Sequence, residues 1–289
     1  MKKFCVRSIV SGFCMFASFV CTAQHLDTII LDYEQTISKW HEQRINNLKR
    51  EHGWLSLVAL EWLSEGKNTF PFIGTLNLHD GRVKAETLPE INATVEGKPF
   101  TKGILRTDAD SLGPDKVFLD SRAFIIIKRG EKFAMRLWDG NSDLRKKFAG
   151  IERYPIFTKW RIKAKWRTYA KPKKISIASV ISGIEEESSV PGIAIFSIDG
   201  IECRLEPLAE SGDKEYFFLF KDKTNGNGSY GAGRFLYASA PVDSTIILDF
   251  NKAYNPPCAF TPYATCPLPP PENRLKVRIE AGEKDYGHH

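Results

Sequence analysis

Across residues 27–50, apolar side chains recur at helical spacing. Ile30, Tyr33, Ile37, Trp40, Ile45 and Leu48 are separated by charged and polar positions. This spacing predicts an amphipathic helix, and Gly53 is a natural stop for it. From Trp54 onward the period shortens. Residues 55–63 are apolar, residues 65–68 read as a turn, and short β segments follow at 69–72, 75–78, 82–85, 93–95 and 102–106. Residues 124–127 and 133–137 flank Arg129-Gly130-Glu131 and read as a hairpin. Short strands at such intervals predict a sandwich or barrel.

Residues 141–155 are rich in charge and close on Gly150 and Pro155, which marks a connector. Beyond it, Trp160, Ile162, Ala164 and Trp166 alternate with Arg161, Lys163 and Lys165, the pattern of a half-buried strand. Further strands are predicted at 174–179, 192–198, 201–205, 215–220, 233–237 and 246–250, with Asp199-Gly200 as a hairpin turn. The predicted fold is therefore mainly β. An N-terminal helix (24–52) leads into a sandwich-like subdomain (53–140). A connector (141–159) then joins it to a second, barrel-like β subdomain (160–289).

Residues 249–284 break both periods. Seven of the 16 prolines fall between Pro256 and Pro271, so the segment is neither helix interior nor central strand. It also carries aromatics and two cysteines and few charges, unlike a solvated linker. It is predicted to be a rigid, half-buried loop packed on the sheet.

Charge narrows the function classes. The formal charge of +6 includes Lys2, Lys3 and Arg7. These belong to a stretch, 1–23, that reads as a secretory signal: a charged start, a short apolar core and Cys21-Thr22-Ala23 at the cleavage position. The core is too short for a membrane span. Without the leader the balance is mild and no basic run is interleaved with aromatics, which argues against nucleic acid. An exported protein, periplasmic or extracellular, is expected; a lipoprotein acylated at Cys21 is the rival address.

The six histidines are His25, His41, His52, His79, His288 and His289, so none lies between Arg82 and Gly287. A Ser-His-Asp or Cys-His device on the Pro-rich segment would need a distant partner. A zinc site there would have only Cys258 and Cys266. No metal and no cofactor is predicted. After the leader three cysteines remain. Cys203 falls on a strand, whereas Cys258 and Cys266 are candidates for a disulfide across the Pro-rich turn or for buried thiols. No cationic or histidine activator lies beside them in sequence, which argues against a nucleophilic thiol.

Candidate chemistry gathers around the Pro-rich segment. Asp249 and Glu272 are candidate general bases. Tyr230, Tyr254, Asn255, Tyr263 and Asn273, with Arg145, Arg234 and Arg274, are candidate ligand contacts, because arginine suits bidentate recognition of anions. Each has a structural alternative: Asp and Asn cap turns, and a Glu–Arg pair staples a loop. The run DFNKAYNPPCAFTPYATCPLPPPENRL, with YGAGRFLYA upstream, resembles the bacterial and archaeal domain of unknown function 1684. The similarity runs back through DLRKKFAGIERYPI to GWLSLVALEWLSEGKNTF. It implies a domain extent and no activity. Three readings stay open: a β-protein binding an anionic or carbohydrate-like small molecule, a hydrolase using Asp249 or Glu272, and a protein-interaction module.

Overall fold

Helix α1 spans Cys14–Leu48, in a computed structural model that describes the backbone of residues 14–287 and the side chains of residues 30–287. It begins earlier and ends sooner than the predicted 24–52. Much of the predicted leader, and the His288-His289 tail, lie outside the described residues; residues 14–23 continue the helix. No described helix is long and apolar enough to cross a membrane. After Leu48 the chain turns tightly, and a Cβ on Gly53 would sit 2.7 Å from the Leu48 carbonyl oxygen. Only glycine fits that approach.

Ten strands follow: β1 (Leu57–Trp62), β2 (Gly66–Phe70), β3 (Gly74–His79), β4 (Arg82–Thr87), β5 (Ala93–Val95), β6 (Lys98–Pro99), β7 (Lys102–Leu105), β8 (Val117–Leu119), β9 (Arg122–Arg129) and β10 (Lys132–Asp139). They form a four-stranded sheet, β2-β3-β4-β7, facing a six-stranded sheet, β1-β10-β9-β8-β5-β6. Leu76, Val83 and Leu105 of the first meet Val117, Phe124, Ile126 and Met135 of the second in one buried core. That is the sandwich the alternation predicts. Gly66 to Asn68, read as a turn, instead belong to β2. Their cross-strand pairing with residues 76–78 overrides local turn composition.

The connector holds a one-turn helix, α2 (Asp143–Lys147), whose N-cap Ser142 accepts from the Arg145 backbone N–H. Beyond it lie β11 (Arg161–Ala178), β12 (Glu185–Ile198), β13 (Ile201–Leu205), β14 (Glu215–Phe220), β15 (Arg234–Ser239) and β16 (Thr245–Asp249). Sheet β13-β12-β11-β16 and the ribbon β14-β15 enclose a second core, with Trp160, Trp166, Phe196, Phe218, Phe220, Leu236 and Leu248 at its centre. The two strands predicted at 160–166 and 174–179 are one long β11. Its register against β12 jumps between Thr168 and Lys173, where Pro172 and the facing Pro191 cannot donate to the ladder. Asp199 and Gly200 both have positive φ, 49° and 78°, which closes the β12–β13 hairpin with the right twist.

The Pro-rich segment packs as predicted. It proceeds through 3-10 turns at Phe250–Lys252, Pro257–Ala259 and Pro271–Asn273, and Phe260, Ala264 and Cys266 are buried. Its tail, with Leu275, Val277, Ile279 and Ala281 inward, completes the second core.

Candidate functional site

Residues at helical spacing on α1 share one face, and that face docks on the second subdomain. The Tyr33 hydroxyl donates to Asp249 Oδ1 at 2.8 Å. Ile37 is fully buried. The Trp40 ring lies 6.4 Å from that of Tyr254. Arg44 donates to the Asn255 carbonyl at 2.8 Å and pairs with buried Glu283 at 3.1 Å, while its guanidinium covers the Tyr254 ring at 4.6 Å. Glu283 in turn accepts the Asn255 backbone N–H at 2.7 Å.

Between this face and the outer side of β15, β16 and the start of β11 opens a cleft of about 660 Å³. Strand alternation supplies its floor. On β16, Ile246 and Leu248 point into the core while Thr245, Ile247 and Asp249 are left on the cleft side. Arg161 stands opposite Asp249 in the β11–β16 register and also lines the cleft, as do Lys252 and Glu215. Neither Arg161 nor Lys252 forms an ion pair with a described residue. Tyr237 is 49% exposed and nearly parallel to the Tyr254 ring, with centroids 6.3 Å apart and a 13° interplanar angle. Burial raises Tyr33, Tyr237 and Tyr254 above the usual phenol value, and the Asp249 carboxylate pushes Tyr33 further the same way. All three are hydroxyl donors at neutral pH.

A family model described as "Protein of unknown function (DUF1684)" matches residues 146–284. The expected extension back to Gly53 lies outside the matched residues. The cleft straddles the edge of the matched segment: Arg161, Tyr237, Asp249, Lys252 and Tyr254 fall inside residues 146–284, and Trp40 and Arg44 outside them. Among solved structures, the chain is similar to the solution NMR structure of an uncharacterized protein from Haloarcula marismortui. The two are 29% identical, with a TM-score of 0.43, over 50% of this chain and 82% of that one. No curated protein matches the chain.

Of the residues singled out from sequence, Asp249 and Tyr254 line the cleft, and Asn255 lies directly behind it. The others lie elsewhere. The three arginines expected to converge share no partner. Arg145 donates to the Lys49 and Gly140 carbonyls, tying α2 to the end of α1. Arg234 is fully buried and pairs with Asp222 at 2.6 Å, besides donating to the Ile279 and Ala281 carbonyls and to Thr224. It is a staple beneath β15, because a buried guanidinium needs its partners fixed within the protein. Arg274 is exposed, on extended backbone just after the Pro271–Asn273 turn. Asn273 is buried and satisfied by Glu206 N–H, Glu206 C=O and Leu219 C=O, each at 2.8 Å. Tyr230 donates to the Cys258 carbonyl at 3.2 Å, and Tyr263 is exposed.

Glu272 is exposed on the Pro271–Asn273 turn, away from the cleft, so the two candidate acids are not paired. Asp249 caps the Phe250–Lys252 turn, and its Oδ1 accepts from Tyr33 and from the Asn251 backbone at 3.2 Å. Cys258 and Cys266 are free thiols, side by side, with the Cys258 N–H donating to Cys266 Sγ at 3.1 Å. Among the described residues no group of three or more His, Cys, Asp or Glu is placed to hold a metal ion.

Sequence reasoning missed Arg44, Arg161, Lys252 and Tyr237. Arg161 and Tyr237 had a signal, since each takes an outward position on an alternating strand. Nothing local says that those positions face a helix.

Proposed function

We propose that this is an exported β-protein that binds an anionic, carbohydrate-like small molecule in the cleft between α1 and β15–β16. The observation that carries the reading is the pair of cations, Arg161 and Lys252, left without ion-pair partners beside the exposed face of Tyr237. A carboxylate-bearing sugar matches both parts. Its acid group would take the guanidinium, and its C–H face would lie on the tyrosine ring. Gln43, Asn47 and Ser239 add neutral donors and acceptors around the rim. Signal-like residues 1–23 support export. Hydrolysis is less well supported, because Glu272 lies away from the cleft and Asp249 is engaged as a cap. A protein-docking role is less well supported too: on the Pro-rich segment, Tyr263 is the only large apolar side chain exposed among the described residues.

The test is thermal unfolding of the full chain against glucuronate, galacturonate, their neutral parent sugars, and small dicarboxylates. An acidic sugar is expected to raise the midpoint in the parent. Arg161→Gln and Tyr237→Ala are each expected to fold normally and lose most of that shift. An equal shift in parent and both variants, or none with any acidic sugar, refutes the reading.

A further inference from the structure

Arg136 is the least explained charge in the molecule. It sits in the middle of β10, is 7% exposed, and has no ion-pair partner among the described residues. Its Nη2 donates to Thr265 Oγ1 at 3.3 Å and its guanidinium lies 5.3 Å from the Trp54 ring centroid, while its buried Nε finds no acceptor. The nearby carboxylates are committed to a neighbour: Asp108 pairs with Arg129 at 2.7 Å and Glu186 with Arg129 at 3.3 Å. Burial, reinforced by Arg129, pulls the Arg136 guanidinium down to about 10, so it remains charged at neutral pH. A buried cation without a counter-charge is costly.

The adjoining groups supply one. Trp54 packs into the same cluster as Cys258, Ala264 and Cys266, and Thr265, whose hydroxyl accepts from Arg136, is the residue directly before Cys266. Cys266 Sγ receives the Cys258 backbone N–H at 3.1 Å, which brings the two thiols side by side. The Tyr230 hydroxyl donates to the Cys258 carbonyl at 3.2 Å and so fixes the residue that carries the half-buried thiol.

We propose that Cys258 and Cys266 form a reactive dithiol that shares one negative charge as the counter-ion of Arg136 and exchanges with disulfides of the glutathione type. The half-buried Cys258 is the attacking sulfur. Its thiolate displaces one half of the disulfide, giving a mixed disulfide and a free thiolate. Cys266 then gives up its proton and attacks the Cys258 sulfur. The second half leaves as a thiolate, and an internal disulfide closes across the Pro-rich turn. Because Cys258 starts as the thiolate, one proton and two electrons leave the protein, and the exchanging disulfide takes the electrons.

The ionisation pattern supports this. The hydrogen bond between the thiols lowers Cys258 below the usual thiol value, and the same bond, with burial, raises Cys266. One proton leaves early and the second is held. The other charged or titratable groups facing the pair through its neighbours are Arg129 and Asp108 beside Arg136, Asp285 beside Tyr230, and Tyr254 in the same cluster. Cys203, raised by burial on its strand, is an internal control that should not react.

The test uses the full chain, reduced and then freed of reductant. Alkylation by iodoacetamide is followed by intact mass from about pH 5 to 9, where an ordinary thiol reaches half its maximal rate near about 8.5. Cys258 is expected to reach half-rate at a clearly lower pH. Arg136→Gln is expected to move that point upward, and Arg136→Lys to keep most of the depression. If Arg136→Gln does not fold, Tyr230→Phe should give an upward move. Glutathione disulfide is expected to leave an internal disulfide, two hydrogens lighter, with no lasting adduct. An ordinary half-rate, one unmoved by the folded variants, or a persistent glutathione adduct on Cys258 overturns the proposal.

Discussion

Replacing Arg234 by Gln removes the charge at the centre of a buried network. Both Arg234 and Asp222 are fully buried, 2.6 Å apart. The guanidinium also holds the Ile279 carbonyl at 2.9 Å and the Ala281 carbonyl, thereby fixing the last inward-facing residues of the chain against β15. Glutamine is too short to reach all of these. Asp222 would keep the Thr224 and Ile279 backbone N–H groups, at 2.8 and 3.1 Å, but would be a buried carboxylate with no cation. Removing one member of such a pair costs about 3–5 kcal/mol. A total stability of about 5–15 kcal/mol leaves little margin for that. At about 2–4 °C per kcal/mol for a protein near this size, the midpoint should fall by roughly 6–20 °C. Circular dichroism melts of parent and variant measure it. The double change Arg234→Met with Asp222→Leu should recover much of the loss, because it removes the unpaired charge as well. A single variant melting within about 2 °C of the parent would show that the pair is not the staple described here.

Asn273→Ala strands two backbone carbonyls and one N–H inside the protein, at about 1–3 kcal/mol for each unsatisfied group that water cannot reach. A clear drop in urea midpoint is expected, and an unchanged midpoint contradicts the role. Arg274→Gln, one residue on, alters an exposed side chain and should stay within about 0.5 kcal/mol of the parent in the same assay. Burial, the largest cause, holds His41 below the usual imidazole value. The unfolded chain therefore takes up a proton that the folded state resists. The stability tied to His41 is full above the unfolded value near about 6.5 and declines as pH falls below it. Melting temperature should thus drop more between about pH 7.5 and 5.5 in the parent than in His41→Gln. Equal slopes would remove His41 from the account, since His52, lowered in the same direction, is present in both proteins.

The position of the Arg136 and cleft residues along the chain explains which parts of the protein were legible. Alternation in residues 160–166 is enough to specify a strand with Trp160, Ala164 and Trp166 inward, because one face of a pleated strand must leave water. The prolines of residues 256–271 exclude regular structure for an equally local reason. The strands expected at 160–166 and 174–179 are one, because a long sheet absorbs Pro172 as a bulge when the strands on either side stay paired. The three arginines near the Pro-rich segment misled. Composition marks a guanidinium as suited to an anion without saying whether that anion is a ligand or Asp222.

By itself, then, the sequence determined the mainly β class, the N-terminal helix and the packed Pro-rich loop. All of these follow from periodicity and backbone constraints that act over a few residues. Only the tertiary structure decided which groups meet. Arg44, Arg161, Tyr237 and Asp249 reach one cleft because a helix face docks on the outside of a sheet. Arg136 reaches Thr265, beside Cys266, across 129 positions because β10 packs against the Pro-rich segment. Side-chain proximity at such separations depends on how whole elements pack, and no local pattern encodes it.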